Sequence, residues 1–111
     1  MDEALATLNR ALSNGIHRCK VELDYTPSYF IRMLSEMGSV AAVRHLVQNA
    51  TPSEGFTRLA EAGKLELTVE YLALSPEFDE FFADIHGEAR RRLQLYGFNE
   101  DGHPGPRLRS L

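Results

Sequence analysis

The chain has 111 residues and a mass of 12.5 kDa, with 43% hydrophobic, 9% aromatic and 25% charged residues and a formal net charge of −4. That length suits one domain around one core, and the composition excludes wholesale disorder and a fibre. Cys19 is the one cysteine, which rules out an internal disulfide or a cysteine-cluster metal site and leads us to expect a reducing, cytoplasmic setting.

No apolar run approaches the roughly 18–20 residues that a bilayer span needs. The chain opens Met1-Asp2-Glu3 instead of with a basic leader. Leu5, Leu8, Leu12, Ile16, Cys19 and Leu23 recur at steps of three and four, the stripe of a long amphipathic helix. Asn14-Gly15 in its middle threatens a kink, but the stripe runs through them, so one helix is expected. Asp24-Tyr25-Thr26-Pro27 ends it, and Thr26 is placed to cap a second helix with Pro27 at its first position.

That second helix carries Tyr29, Phe30, Met33, Leu34 and Met37 on one face and stops at Gly38, with Ser39 available to cap a third. Val40, Val43, Leu46 and Val47 continue the helical period until Asn49-Ala50-Thr51-Pro52 interrupts it. The pattern then recurs. Laying 51–63 over 26–38 gives six identities in thirteen positions, including Thr-Pro-Ser and the closing glycines Gly38 and Gly63. With one insertion, Val69 and Leu72 fall on Val43 and Leu46, and Ser75-Pro76 opens a looser third copy. Two or three degenerate helix-turn-helix repeats of about 25 residues would account for this. So would the local chemistry of capping, which recurs in unrelated helix pairs.

Leu65, Leu67, Val69 and Tyr71 alternate with polar residues as a strand would. No second segment offers it a partner, and Leu65, Val69 and Leu72 also satisfy helical spacing, so helix is expected here as well. Phe78, Phe81, Phe82 and Ile85 form an aromatic-rich turn before a final helix on Ile85, Ala89, Leu93 and Tyr96, with Asp84 as its expected cap. The fold class is therefore all-α: a compact bundle of about six or seven helices over residues 1–97, followed by a flexible tail at 98–111.

Charge is unevenly spread. Residues 51–89 hold two basic residues against nine acidic ones, whereas 90–111 hold five basic against two. An acidic belt repels nucleic acid and attracts basic surfaces, although it also simply confers solubility. Arg90-Arg91-Arg92 spreads around a helix instead of forming a stripe, and Glu88 is spaced to pair with Arg92. Nucleic acid is thus not the expected partner.

The histidines offer little chemistry. His17 and Cys19 point to different faces, and Cys19 lies on the apolar stripe, where thiols are inert. His45 and His103 have no local partner. Asp84-x-His86-x-Glu88 is the densest polar cluster, but at 100° per residue His86 points about 200° away from Asp84. Glu66 and Glu70, four apart, read as a solvated face. No phosphate-binding glycine loop or hydrolase motif is present, so no metal, cofactor or catalytic residue is assigned.

Thr26-Pro27-Ser28-Tyr29-Phe30, Met33-Leu34, Gly38-Ser39-Val40, the run Pro52 to Leu59, the run Leu65 to Leu72, and Ala89-Arg90 with Leu93 together resemble a group of small bacterial helical proteins without an established activity. The resemblance spans residues 26–97. It implies a bacterial, cytoplasmic helical domain and no reaction. Its most specific stretch is Gly55-Phe56-Thr57-Arg58-Leu59, where glycine in a helix's first turn permits close approach of another backbone.

Two functions from different classes remain. The first is a non-enzymatic protein-protein interaction module, a regulator or inhibitor docking its partner through an acidic helical surface made of Glu66, Glu70, Glu77, Glu80, Asp84 and Glu88. The alternative is a small ligand-binding or catalytic helical domain using His86 with Asp84 or Glu88. The stripe of the first helix would also allow a homodimer.

Overall fold

The computed structural model describes residues 3–97, and the expected tail at 98–111 lies outside the described residues. Among the described residues there are seven α-helices, three short 3-10 turns and no strand. The helix α1, Glu3–Leu23, runs unbroken through Asn14-Gly15 for 21 residues, about 32 Å at 1.5 Å per residue. Glu3 and Lys20 sit at the ends that the helix dipole favours. Leu8, Leu12 and Cys19 are buried within the chain, while Leu5 and Val21 remain exposed. Half of the stripe is therefore buried within the chain, and Ile16 and Leu23 are half-buried.

The chain leaves α1 through Asp24 at φ 51°, a left-handed conformation that aspartate tolerates better than most residues, with the Tyr25 amide donating to the Cys19 carbonyl at 3.1 Å. α2 is Ser28–Met37 and α3 is Ser39–Gln48. Both expected caps are displaced. Pro27 itself occupies the cap position of α2, and Thr26 instead accepts the Ser28 amide through its carbonyl at 2.8 Å. Thr26 lies one residue too far upstream for its hydroxyl to serve. Ser39 is the first residue of α3, and its hydroxyl donates to Asn9 Oδ1 on α1. Gly38 does close α2, at φ 87° and ψ 168°, and its carbonyl accepts the Ala42 amide. The face expected for α2 is buried only in part: Met33 is in the core, Phe30 and Leu34 are half-buried, and Tyr29 and Met37 are exposed.

α4, Glu54–Glu61, is capped by Ser53, whose Oγ accepts the Phe56 amide at 3.1 Å. It ends before Gly63 at φ 73°. The ambiguous 65–72 stretch resolves into a 3-10 turn, Leu65–Leu67, and a short helix α5, Val69–Ala73. Thr68 between them donates to the Leu65 carbonyl at 2.8 Å and accepts the Tyr71 amide at 3.1 Å. A 3-10 turn at Pro76–Phe78, α6 at Asp79–Phe82, a 3-10 turn at Ala83–Ile85 and α7 at His86–Leu95 complete the described chain.

The main core joins Leu8 and Leu12 of α1, Val43 and Val47 of α3, Ala73 of α5, and Phe78, Phe82, Ile85 and Ala89. α5 is the hub, packed on α3 and α7. Phe56, Leu65 and Leu93 form a smaller cluster that attaches α4 to α7. The repeat correspondence is local: Gly38 and Gly63 both adopt positive φ, but ten-residue α3 is matched by a 3-10 turn and a five-residue helix.

Candidate functional site

The six carboxylates of the acidic belt separate into four environments. Glu70 is the largest departure from expectation, because it is not on a solvated face but 1% exposed. Its Oε2 accepts from Arg92 Nη1 at 2.8 Å, and its Oε1 is buried without a hydrogen-bond partner. Burial pushes the Glu70 carboxyl up from the usual range, with the Arg92 hydrogen bond opposing. A carboxylate taken out of water this far persists because the Arg92 guanidinium shares its site.

Arg92 is the centre of that arrangement. It also donates to the Leu46 carbonyl at 3.0 Å and to the Asn49 carbonyl. These groups lie at the end of α3, where the last helical carbonyls lack intrahelical partners. One guanidinium thus fastens α3, α5 and α7 together, which is a task suited to its planar fork of donors. The expected Glu88–Arg92 pair does not form. Glu88 sits half-buried in the first turn of α7, where an acid suits the dipole.

Asp84 has a different role from the cap expected of it. Ile85 holds the cap position of α7 and makes no side-chain cap. Both Asp84 oxygens accept from Arg44, each at 2.8 Å, and Arg44 also donates to the Phe81 carbonyl at 2.8 Å. The Arg44 hydrogen bonds hold the Asp84 carboxyl down at about 2.

Glu77, Asp79 and Glu80 remain exposed, on either side of the buried Phe78. Glu66, in the 3-10 turn before α5, is half-buried. Its charge acts on Arg18, which is bound to Glu22 at 2.7 Å, and Glu22 also meets Lys64 at 3.3 Å.

The alternative function places His86 with Asp84 or Glu88. Its Nε2 instead lies 3.3 Å from Asp79 Oδ1, outside hydrogen-bonding geometry. Cys19 is buried, and burial raises its thiol, keeping it protonated. His17 and His45 are exposed. Among the described residues, no three histidine, cysteine, aspartate or glutamate side chains are grouped to hold a metal ion, and no helix is long and apolar enough to cross a membrane. Comparisons with family models, curated proteins and solved structures return no match to this chain.

Sequence reasoning missed Arg92 as an interior residue. Its partners are 22, 43 and 46 positions away, so no local spacing signals them.

Proposed function

We propose that this chain is a non-enzymatic, cytoplasmic interaction module that docks a protein partner with a basic surface through the acidic stretch Glu77, Asp79 and Glu80. A regulator or inhibitor of that partner is the role such a module would fill. The observation that carries this reading is electrostatic. Glu77 and Glu80 are exposed and make no ion pair among the described residues, while Arg44 and Arg92 are both committed to other carboxylates. Their negative potential is directed outward, where it raises association rates with a cationic surface and weakens with salt.

Glu70 and Asp84 are withdrawn from the docking surface, the first by burial and the second by its bidentate partner. The alternative built on His86 is also weaker than its sequence suggested, since the carboxylate beside His86 is Asp79, while Asp84 is held by Arg44.

The test is affinity capture from cells that make the protein, comparing wild type with Glu77→Lys/Glu80→Lys at low and high salt. The expected result is a stoichiometric partner retained by wild type at low salt, lost at high salt and lost by the variant, with unchanged circular dichroism. A partner held equally by the charge-reversed variant would overturn the proposal, and so would the lack of any salt-sensitive partner.

A further inference from the structure

Between α1, α4 and the 65–72 segment lies a cavity of about 80 Å³ walled largely by apolar side chains, among them Leu12, Ile16, Leu59 and Leu72. Gly15 forms part of its wall, and a Cβ built there would meet nothing within 4 Å. Glycine in the interior of a helix is unfavourable relative to alanine, and no neighbour's approach explains it at this position. A side chain at this position of α1 would therefore have open space to enter.

The cavity continues outward. Tyr25, Pro27, Phe30, Ser53 and Gly55 line both it and a surface cleft of about 250 Å³. At that junction two hydroxyls converge over Gly55: its Cβ position is 3.6 Å from Tyr25 Oη and 3.8 Å from Ser53 Oγ. Ser53 Oγ accepts the Phe56 amide and keeps its own proton to donate. Tyr25 makes no hydrogen bond among the described residues through its hydroxyl, which burial keeps protonated.

We propose that this cavity and its outer cleft bind a small neutral amphiphile, an alkanol-like molecule whose apolar body enters the cavity and whose hydroxyl meets Tyr25 and Ser53. Size sets the body. An apolar cavity of about 150 Å³ accommodates benzene, so one about half as large takes a body about half the volume of benzene, roughly two to three methylene carbons, with its polar end outside. Charge sets the head. Glu54 in the cleft disfavours an anion. The Arg58 guanidinium, 4.3 Å from the centre of the Tyr25 ring, disfavours a cation there. A hydroxyl, which donates and accepts, matches two groups that do the same.

The experiment is a titration of the full chain with 1-propanol, followed by methyl NMR, with propanoate and propylamine as charged probes of the same length. The expected result is saturable shifts at the methyls of Leu12, Ile16, Leu59 and Leu72, with both charged probes at least tenfold weaker. Gly15→Leu should fill the space and abolish saturation. Cys19→Leu, which adds volume from another point of the wall, serves the same purpose should Gly15→Leu fail to fold. Tyr25→Phe should weaken propanol by about three- to tenfold, the worth of one hydrogen bond. Shifts that never saturate, equal binding by a folded cavity-filled variant, or stronger binding of either charged probe would overturn the assignment.

Discussion

Two arginine–carboxylate pairs in this molecule have the same closest N···O distance, 2.8 Å, and opposite physics. In Arg44–Asp84 the side chains are 31% and 65% exposed, whereas in Arg92–Glu70 they are 10% and 2% exposed. The exposed pair lowers its carboxyl to about 2 through the Arg44 hydrogen bonds, and the buried pair raises its carboxyl because desolvation outweighs the partner. Both pairs secure α3, one through Arg44 on its side and the other through carbonyls at its end. Distance alone does not tell what an ion pair does for a fold; the water removed from it decides.

The widest separation between the two pairs should come from removing their arginines. Arg92→Ala leaves Glu70 buried beside an empty site and two carbonyls without their donor, and should cost about 3–5 kcal/mol. At about 4–8 °C per kcal/mol for a domain of this size, the melting temperature should fall by roughly 12 °C or more. Arg44→Ala should lose far less, since an exposed pair contributes little. The comparison breaks if thermal melts show equal losses. It sharpens if Glu70→Leu/Arg92→Met recovers most of the stability, because a buried pair replaced by apolar groups of similar volume is often neutral.

The same contrast shows how far the sequence could be read. Helix stops were legible because their chemistry is local, and Gly38 and Gly63 take positive φ, whereas helix starts were displaced from the Thr-Pro pairs: Pro27 sits at the cap of α2 and Ser53 caps α4. The continuity of α1 through Gly15 was legible too, carried by its apolar stripe. Glu70 was misread because the four-residue spacing from Glu66 assumes one continuous helix. Thr68, extended at φ −78° and ψ 156°, resets the helical phase between them, so the two carboxylates do not share a face. The 3-10 turn at Ala83–Ile85 does the same to Asp84, His86 and Glu88. Short helices with breaks between them defeat periodicity, and contacts across more than twenty residues lie outside any window.

Smaller effects come from the ends and the middle of the helices that these pairs join. Gly38 turns the chain into α3, the helix held by both arginines, in a conformation that is nearly exclusive to glycine. Gly38→Ala should cost about 1–3 kcal/mol in a urea titration. Gly15 is helical and its missing Cβ faces open space, so Gly15→Ala should stabilise by about 0.5–1 kcal/mol. Opposite signs for the two glycines would separate conformational need from helix propensity. Equal losses would place both in the first category and remove the open space beside α1.

The finest test asks whether the two carboxylates respond to pH in opposite directions. Glu70 has a folded-state value above its ordinary 4.5, so the protonated form is favoured by folding. Its contribution is fully present below that value and is lost as pH rises through the raised one. Asp84 has a folded-state value of about 2 against an ordinary 3.8, so its contribution is present above 3.8 and is lost as pH falls toward 2. Urea midpoints between about pH 2 and 8 for wild type, Glu70→Gln and Asp84→Asn resolve the two. The stability of wild type relative to Glu70→Gln should decline as pH rises from 4.5, and relative to Asp84→Asn it should grow as pH rises from 2 to 4. Parallel profiles would mean that the buried pair titrates like the exposed one, and that withdrawal of Glu70 from water leaves no mark on its proton affinity.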